Sequence, residues 1–433
     1  MDINKFKIDN QRHLVEFFKK VESLISPPEM YGQINGQLIF SKSASYVFTH
    51  EAKIYWDEFL LRILTLKDLQ NYVSIKTIDD EFKPLLENYL IDKNINPTDL
   101  NEKISNIEKY RINKNFHYFI VSNFLTEKVL RFSNIKIGKF EEVCPKTGFS
   151  FAQKINSNTE AIVSYHKLNN SYNDSFFRYY FKELEKLNNQ TVLEVYNYGD
   201  QILSEQKSIQ NAEHFINELI FLRSLCSNLE FKIELNADTI QSLSSSPIQI
   251  NYYKQSLRTS PIKLIYPTKL NFNDKNDSQT NIGSLFKNLA FPIFQEGYND
   301  ELLEKLKTAI DWYASSFKAK NNRESFLFCA IGMEALLSNG RDAITKTLAE
   351  NTAFLIAKKD IKSRKTVFNK IIYLYQRRSG IAHGGTTNIE ITDLQQIRFY
   401  LSKSIILIIE KIQDNEINSV KELFEYLENQ KFG

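Results

Sequence analysis

Apolar residues change their spacing along this chain, and the changes divide it. Leu14, Phe17, Phe18, Val21 and Leu24 recur at helical spacing until Pro27-Pro28, which predicts a lead-in helix within residues 1–27. From 28 to 272 short runs alternate with longer ones. Gln37–Phe40, Phe116–Val121, Ile135–Phe140, Ala161–Tyr165, Thr191–Tyr196 and Leu229–Leu235 read as strands, rich in β-branched and aromatic residues. Asp57–Leu69, Glu81–Leu90, Ser175–Leu187 and Ala212–Leu225 read as helices, and the polar stretch Asp92–Glu102 as a loop. The mixture predicts an α+β N-terminal region with room for two subdomains and no internal repeat. Residues 273–290, which open on the polar run Asn273–Asn281, are expected to be a linker.

Beyond it the spacing is helical throughout, predicting an all-α bundle over 291–433. Asn299 or Asp300 is placed to cap a helix whose stripe is Leu303, Leu306, Ile310, Tyr313 and Phe317. A second helix starts at Asn322 with Phe326, Cys329, Ala330, Met333 and Leu337 on its stripe, and a third near Thr345 with Leu348, Thr352, Leu355 and Ile356. The fourth opens near Ser363 and stops at Gly384-Gly385. Thr392 and Gln395 have the spacing of a capping box for a fifth, apolar on most of its circumference from Ile397 to Ile412. Val420–Leu427 forms a last amphipathic helix.

Composition narrows the class. At 433 residues, with 42% hydrophobic and 25% charged, the chain has the make-up of a folded protein of two or three domains. Lys+Arg 55 against Asp+Glu 52 leaves +3, so any nucleic-acid site has to be a local patch. Cys144, Cys226 and Cys329 are far apart, which excludes a disulfide scaffold and a cysteine-rich zinc module and fits a reducing cytoplasm. Met1–Phe6 lacks the apolar core of a secretion signal, and the apolar run Ile405–Ile409 is too short to span a bilayer. The expectation is a cytoplasmic protein without membrane contact. His13, His50, His117, His166 and His214 show no metal-ligand spacing. Asp274, Asn276 and Ser278 begin like a calcium loop, but Gln279 stands where glycine is needed. Cys144-Pro145-Lys146-Thr147-Gly148 lacks the glycine spacing of a phosphate loop and reads as a turn. Neither a metal nor a cofactor is expected.

The candidate chemistry lies at the end of the fourth helix, in Leu374-Tyr375-Gln376-Arg377-Arg378-Ser379-Gly380-Ile381-Ala382-His383-Gly384. Its stripe of Val367, Ile371 and Leu374 continues into Arg378, a guanidinium on an apolar face that needs a partner or a cleft. Arginine offers phosphate a planar fork, and histidine exchanges protons near neutrality. At the helix C-terminus the dipole favours a protonated His383, which suits a general acid. The pair fits phosphodiester cleavage of RNA, in which the substrate's own 2′-hydroxyl is the nucleophile. Five steps leave Arg378 and His383 roughly 140° apart on a straight helix. Convergence needs the long arginine arm, loosening at Gly380 and Gly384-Gly385, or a second copy of the site from a twofold partner.

Three segments, Ile331-Gly332-Met333-Glu334-Ala335-Leu336-Leu337, Leu348–Leu355 and Ile372–Gly384, together resemble the Apea-like branch of the HEPN superfamily, over roughly Asp300 to Lys411. The resemblance implies a helical bundle that dimerises, or forms a higher even-numbered oligomer, so that two Arg-x4-His motifs build one metal-independent endoribonuclease site. Arg378 would then hold the scissile phosphate and His383 transfer protons. Ser379 stands where many of these enzymes have Asn, Asp or His, which leaves its role as a polar helper open. Arg377 either adds a phosphate contact or is a solvated arginine. Glu334 either orients Arg378 or His383 or forms an ion pair that neutralises Arg378. The implied setting is anti-phage abortive infection, with RNA as substrate, tRNA among the candidates, and a phage-derived trigger sensed by the N-terminal region. Two other readings stay open: a non-catalytic HEPN module that binds RNA or dimerises, and a ligand receptor with a helical signalling tail.

Overall fold

A computed structural model describes residues 11–26, 37–40, 45–66, 69–122, 124–126, 129–143, 149–156, 159–164, 191–226, 234–236, 248–249, 268–269, 301–338, 344–357, 360–382 and 388–432. It shows an α+β region followed by helices. The expected helix Ser175–Leu187, the expected linker and most of Leu229–Leu235 lie outside the described residues.

The chain opens with α1 (Gln11–Glu22), the short strands β1 (Ile25–Ser26), β2 (Gln37–Phe40) and β3 (Ser45–Phe48), then α2 (His50–Leu66), α3 (Ile75–Asp92) and α4 (Pro97–Lys109). The four helices share an aromatic core in which Phe17 stacks on Phe59 at 4.1 Å and on Tyr55 at 4.8 Å. Such pairs add to the burial that drives packing. Helix α3 starts earlier than Glu81 because Ser74 caps it, accepting from the Thr77 N–H at 3.2 Å.

Helix α4 corrects the loop expected over Asp92–Glu102. Asn96 accepts from the Thr98 N–H at 3.0 Å, and Pro97 occupies the first turn, where an amide hydrogen would have no helical partner. Residues that resemble loop punctuation are here a helix start. Burial of Leu100 and Ile107 holds its inner face.

Next come β4 (Lys114–Ser122), β5 (Phe124–Leu125), β6 (Leu130–Phe132), β7 (Ile135–Lys139), α5 (Phe140–Val143), β8 (Phe149–Asn156), β9 (Thr159–Ser164) and β10 (Thr191–Tyr198). Helix α6 (Gln201–Cys226) and the short β11 (Glu234–Asn236), β12 (Ile248–Gln249) and β13 (Thr268–Lys269) follow. Five strands form an antiparallel sheet ordered β11-β4-β10-β7-β6, with Val195 opposite His117 and Leu193 opposite Phe119.

His117 is buried, and its Nε2 lies 3.1 Å from the Ser204 hydroxyl on α6. Burial pushes its pKa down to about 4, from 6.5 for an ordinary histidine. The unfolded chain takes up this proton near pH 6.5 and the folded chain does not. Its contribution is therefore complete above pH 6.5 and is lost as pH falls towards 4, about 3 kcal/mol in all. Denaturant titrations between pH 7 and 4 should record that loss, and His117→Gln protein should lack this part of the slope.

The C-terminal bundle consists of α7 (Glu301–Lys318), α8 (Asn322–Leu337), α9 (Ile344–Ile356), α10 (Ile361–Ala382), α11 (Ile391–Gln413) and α12 (Val420–Phe432). The predicted stripe of α8 is buried throughout: Phe326, Cys329, Ala330, Met333 and Leu337 are each 0% exposed, while Phe317, Ile356 and Val367 at the ends of the other stripes are half-buried. Gly332 lets three helices close up. A Cβ there would lie 2.8 Å from Leu401 Cδ2, 3.2 Å from Trp312 Cβ and 3.3 Å from the Ala309 carbonyl. Arg398 of α11 ties the same helices together, donating to the Ser316 carbonyl at 2.6 Å and the Ser325 hydroxyl at 2.8 Å while lying over Phe317.

The capping box expected at Thr392 does not form. Helix α11 begins two residues earlier, with Glu390 at the cap position and no side-chain capping bond, so Thr392 falls inside the first turn. The first-turn carboxylate, Asp393, is buried and turned towards α10 instead. The sheet and the bundle share one core through α6, where Phe221 meets Tyr313 edge-on at 5.3 Å and the Ser224 hydroxyl lies 2.9 Å from the Tyr313 hydroxyl.

Candidate functional site

Helix α10 carries the candidate residues. Its first turn is capped by Asp360, which accepts from the Ser363 hydroxyl, the Ser363 N–H at 2.9 Å and the Lys362 N–H at 3.1 Å; these bonds, the hydroxyl's above all, hold the carboxyl below its usual range. The buried face is Ile371, Leu374, Tyr375 and Ile381, and the Tyr375 hydroxyl donates to the Ala330 carbonyl of α8 at 2.9 Å. That face clamps α10 against α8 and fixes where the next turn emerges.

Arg378 emerges beside Glu334. Its Nη2 donates to Glu334 Oε2 at 3.3 Å, while its Nε lies 3.2 Å from Oε1 as an ion-pair contact without a hydrogen bond. The arginine side chain is 33% exposed and the glutamate 24%, which places the pair at the mouth of the α8–α10 packing rather than inside it. Burial pushes the Glu334 carboxyl up from its ordinary value, and the neighbouring Arg378 pulls it back only in part. The hydrogen bond to Glu334 uses Nη2, with Nε only at ion-pair distance, so the Nη1 edge is not taken up by the carboxylate.

Arg377 is partly exposed and has protein partners. Its Nε lies 3.4 Å from Asp393 Oδ2, and its Nη2 donates to the Asn388 carbonyl at 2.7 Å. Ser379 is exposed on α10. His383 and the Gly384-Gly385 stop lie outside the described residues. Helix α10 runs unbroken through Gly380 to Ala382, so Gly380 introduces no loosening ahead of the histidine. Both flanks of residues 383–387 are gripped by arginines. Arg323, in the first turn of α8, donates to the Ile381 carbonyl at 3.2 Å on one side, and Arg377 holds Asn388 on the other. Arg323 and Asp393 are absent from the sequence reading. Neither belongs to a local motif, although a helix with six cations and no carboxylate, as α10 is, implies an acidic neighbour such as Asp393.

Among the described residues, no group of three or more His, Cys, Asp or Glu side chains is placed to hold a metal ion. No helix of the described residues is long and apolar enough to cross a membrane. No protein-family model matches the chain, and comparison with curated proteins and with solved structures gives no match either.

Proposed function

We propose that the C-terminal bundle is a HEPN-type, metal-independent endoribonuclease with Arg378 and His383 as its catalytic residues. The observation that carries this reading is Arg378 itself. It is a guanidinium that continues the apolar stripe of α10, ion-paired to Glu334 with one hydrogen bond yet one-third exposed, five residues before a histidine that directly follows the helix in the sequence.

In this reading the 2′-hydroxyl of the substrate gives its proton to water and attacks the adjacent phosphorus, and the bond to the 5′-oxygen breaks. A 2′,3′-cyclic phosphate and a 5′-hydroxyl result. Arg378 stabilises the charge that builds on the phosphoryl oxygens, and His383 supplies the proton that the leaving 5′-oxygen takes up. Glu334 orients the guanidinium. Because α10 stays regular to Ala382, a second copy of the chain completes the site in a homodimer or higher even-numbered oligomer. The setting we favour is anti-phage defence in the cytoplasm, with the α+β region responding to a trigger and restraining the bundle through their shared core.

Purified protein incubated with total RNA in a chelating buffer should cleave it. RNA that stays whole while binding in a salt-sensitive way would instead support a second reading, an RNA-holding or dimerisation module. One observation favours that second reading: Glu334 already neutralises Arg378. Glu334→Gln protein separates the two roles of the glutamate. If Glu334 orients the fork, cleavage by this variant should fall about 10-fold, with kcat carrying the loss. If it only neutralises charge, KM for RNA should drop instead.

A further inference from the structure

Helix α10 runs through 22 residues with Lys362, Arg364, Lys365, Lys370, Arg377 and Arg378 and no Asp or Glu, in a chain whose charges otherwise nearly balance. On the face turned towards the start of α11, three of its residues form one cluster. Tyr373 is 40% exposed. Lys370 Nζ lies over its ring, 4.4 Å from the centre, and the Arg377 guanidinium carbon over it at 5.9 Å. All three converge on one carboxylate: Asp393 lies 3.8 Å from Lys370, 3.4 Å from Arg377, and accepts from the Tyr373 hydroxyl at 3.3 Å. Asp393 is 4% exposed, whereas the two cations are each 29% exposed.

A clamp between two helices needs one ion pair. Here a buried carboxylate fixes an exposed aromatic ring and two half-buried cations, and the cations outnumber it. We propose that Lys370, Tyr373 and Arg377 form a subsite for single-stranded RNA, in which flanking phosphates draw Lys370 and Arg377 off the Tyr373 ring and an unpaired base stacks in their place. Aromatic platforms flanked by cations hold single strands because every base has a stacking face, and a duplex buries those faces. Asp393 keeps both cations beside the ring, which lowers the cost of ordering two long side chains on binding. The inference rests on the ribonuclease reading for its substrate. Tyr373 lies five residues before Arg378, about 7.5 Å along the axis and roughly 140° round it. Arg377 stands between them, so a strand leaving the stripe crosses α10 towards the scissile position.

The test uses full-length His383→Ala protein, in which turnover is blocked and the stripe untouched. Binding of a fluorescent single-stranded oligoribonucleotide is compared with binding of the blunt duplex of the same sequence. The single strand should bind more tightly. Adding Tyr373→Ala should weaken it by about 10-fold or more, and Tyr373→Phe, which keeps the ring and drops the bond to Asp393, should retain it. Lys370→Ala should lower the slope of log Kd against log salt by about 0.7. Equal affinity for duplex and single strand, or a Tyr373→Ala protein that binds as its parent does, overturns the proposal. So does loss of binding in Tyr373→Phe equal to that in Tyr373→Ala, because the phenol would then act only through Asp393. Failure of the ribonuclease reading looks different. Protein with wild-type His383 would then leave RNA whole while the stripe variants still changed binding, which supports the subsite. Cleavage with a KM untouched by Tyr373→Ala removes the subsite alone.

Discussion

Arg378→Ala protein should cleave RNA about 10²–10³-fold more slowly than wild type, the loss expected when one preorganised group that stabilises developing charge is removed. The variant should still fold. Arg378 is one-third exposed and belongs to neither the Ile371–Leu374–Tyr375 packing nor the Gly332 contact that closes the bundle. Its loss leaves Glu334 without a cation, and the carboxyl, already raised by burial, can take up a proton rather than stay charged. Arg378→Lys should recover little of the rate. A lysine restores the charge, but it lacks the planar fork that can meet Glu334 on one edge and a phosphate on the other. Single-turnover rates on one labelled RNA, with melting temperatures as the control for folding, check these statements together.

His383→Ala has the second large effect. Proton transfer by a positioned side chain is worth about 10²–10⁴-fold, and cleavage should fall by that factor with KM for RNA little changed. Oligomeric state should be retained, since the last buried residue of α10 is Ile381 and the helix is held from outside the motif by Arg323. A variant that cleaves RNA at the parental rate in chelating buffer would remove this histidine from the site.

Local chemistry made parts of this architecture legible. The stripes of α7 and α8 repeat every three to four residues, and each predicted position on α8 is buried. Asn96-Pro97 was misread for a physical reason: the residues that break a helix in its interior also start one, and only the burial of Leu100 and Ile107 decides between them. Helix α6 shows what periodicity leaves out. One apolar face is visible through Phe215, Leu219 and Leu222, but Ile216, Ile220 and Phe221 are buried as well, because this helix is covered by the sheet on one side and by α7 on the other. A second apolar face signals a second neighbour without identifying it. The same limit holds at the site. The anomaly of Arg378 on an apolar stripe was readable, and so was Glu334 as its candidate partner. Asp393 and Arg323 come from helix starts that only tertiary packing brings to α10.

The most direct test of the central claim is the chemistry of the cut ends. A labelled oligoribonucleotide incubated with the protein in chelating buffer should yield fragments ending in a 2′,3′-cyclic phosphate and beginning with a 5′-hydroxyl. Fragments ending in a 3′-hydroxyl and beginning with a 5′-phosphate would contradict it, because water rather than the substrate's own 2′-hydroxyl would then be the nucleophile.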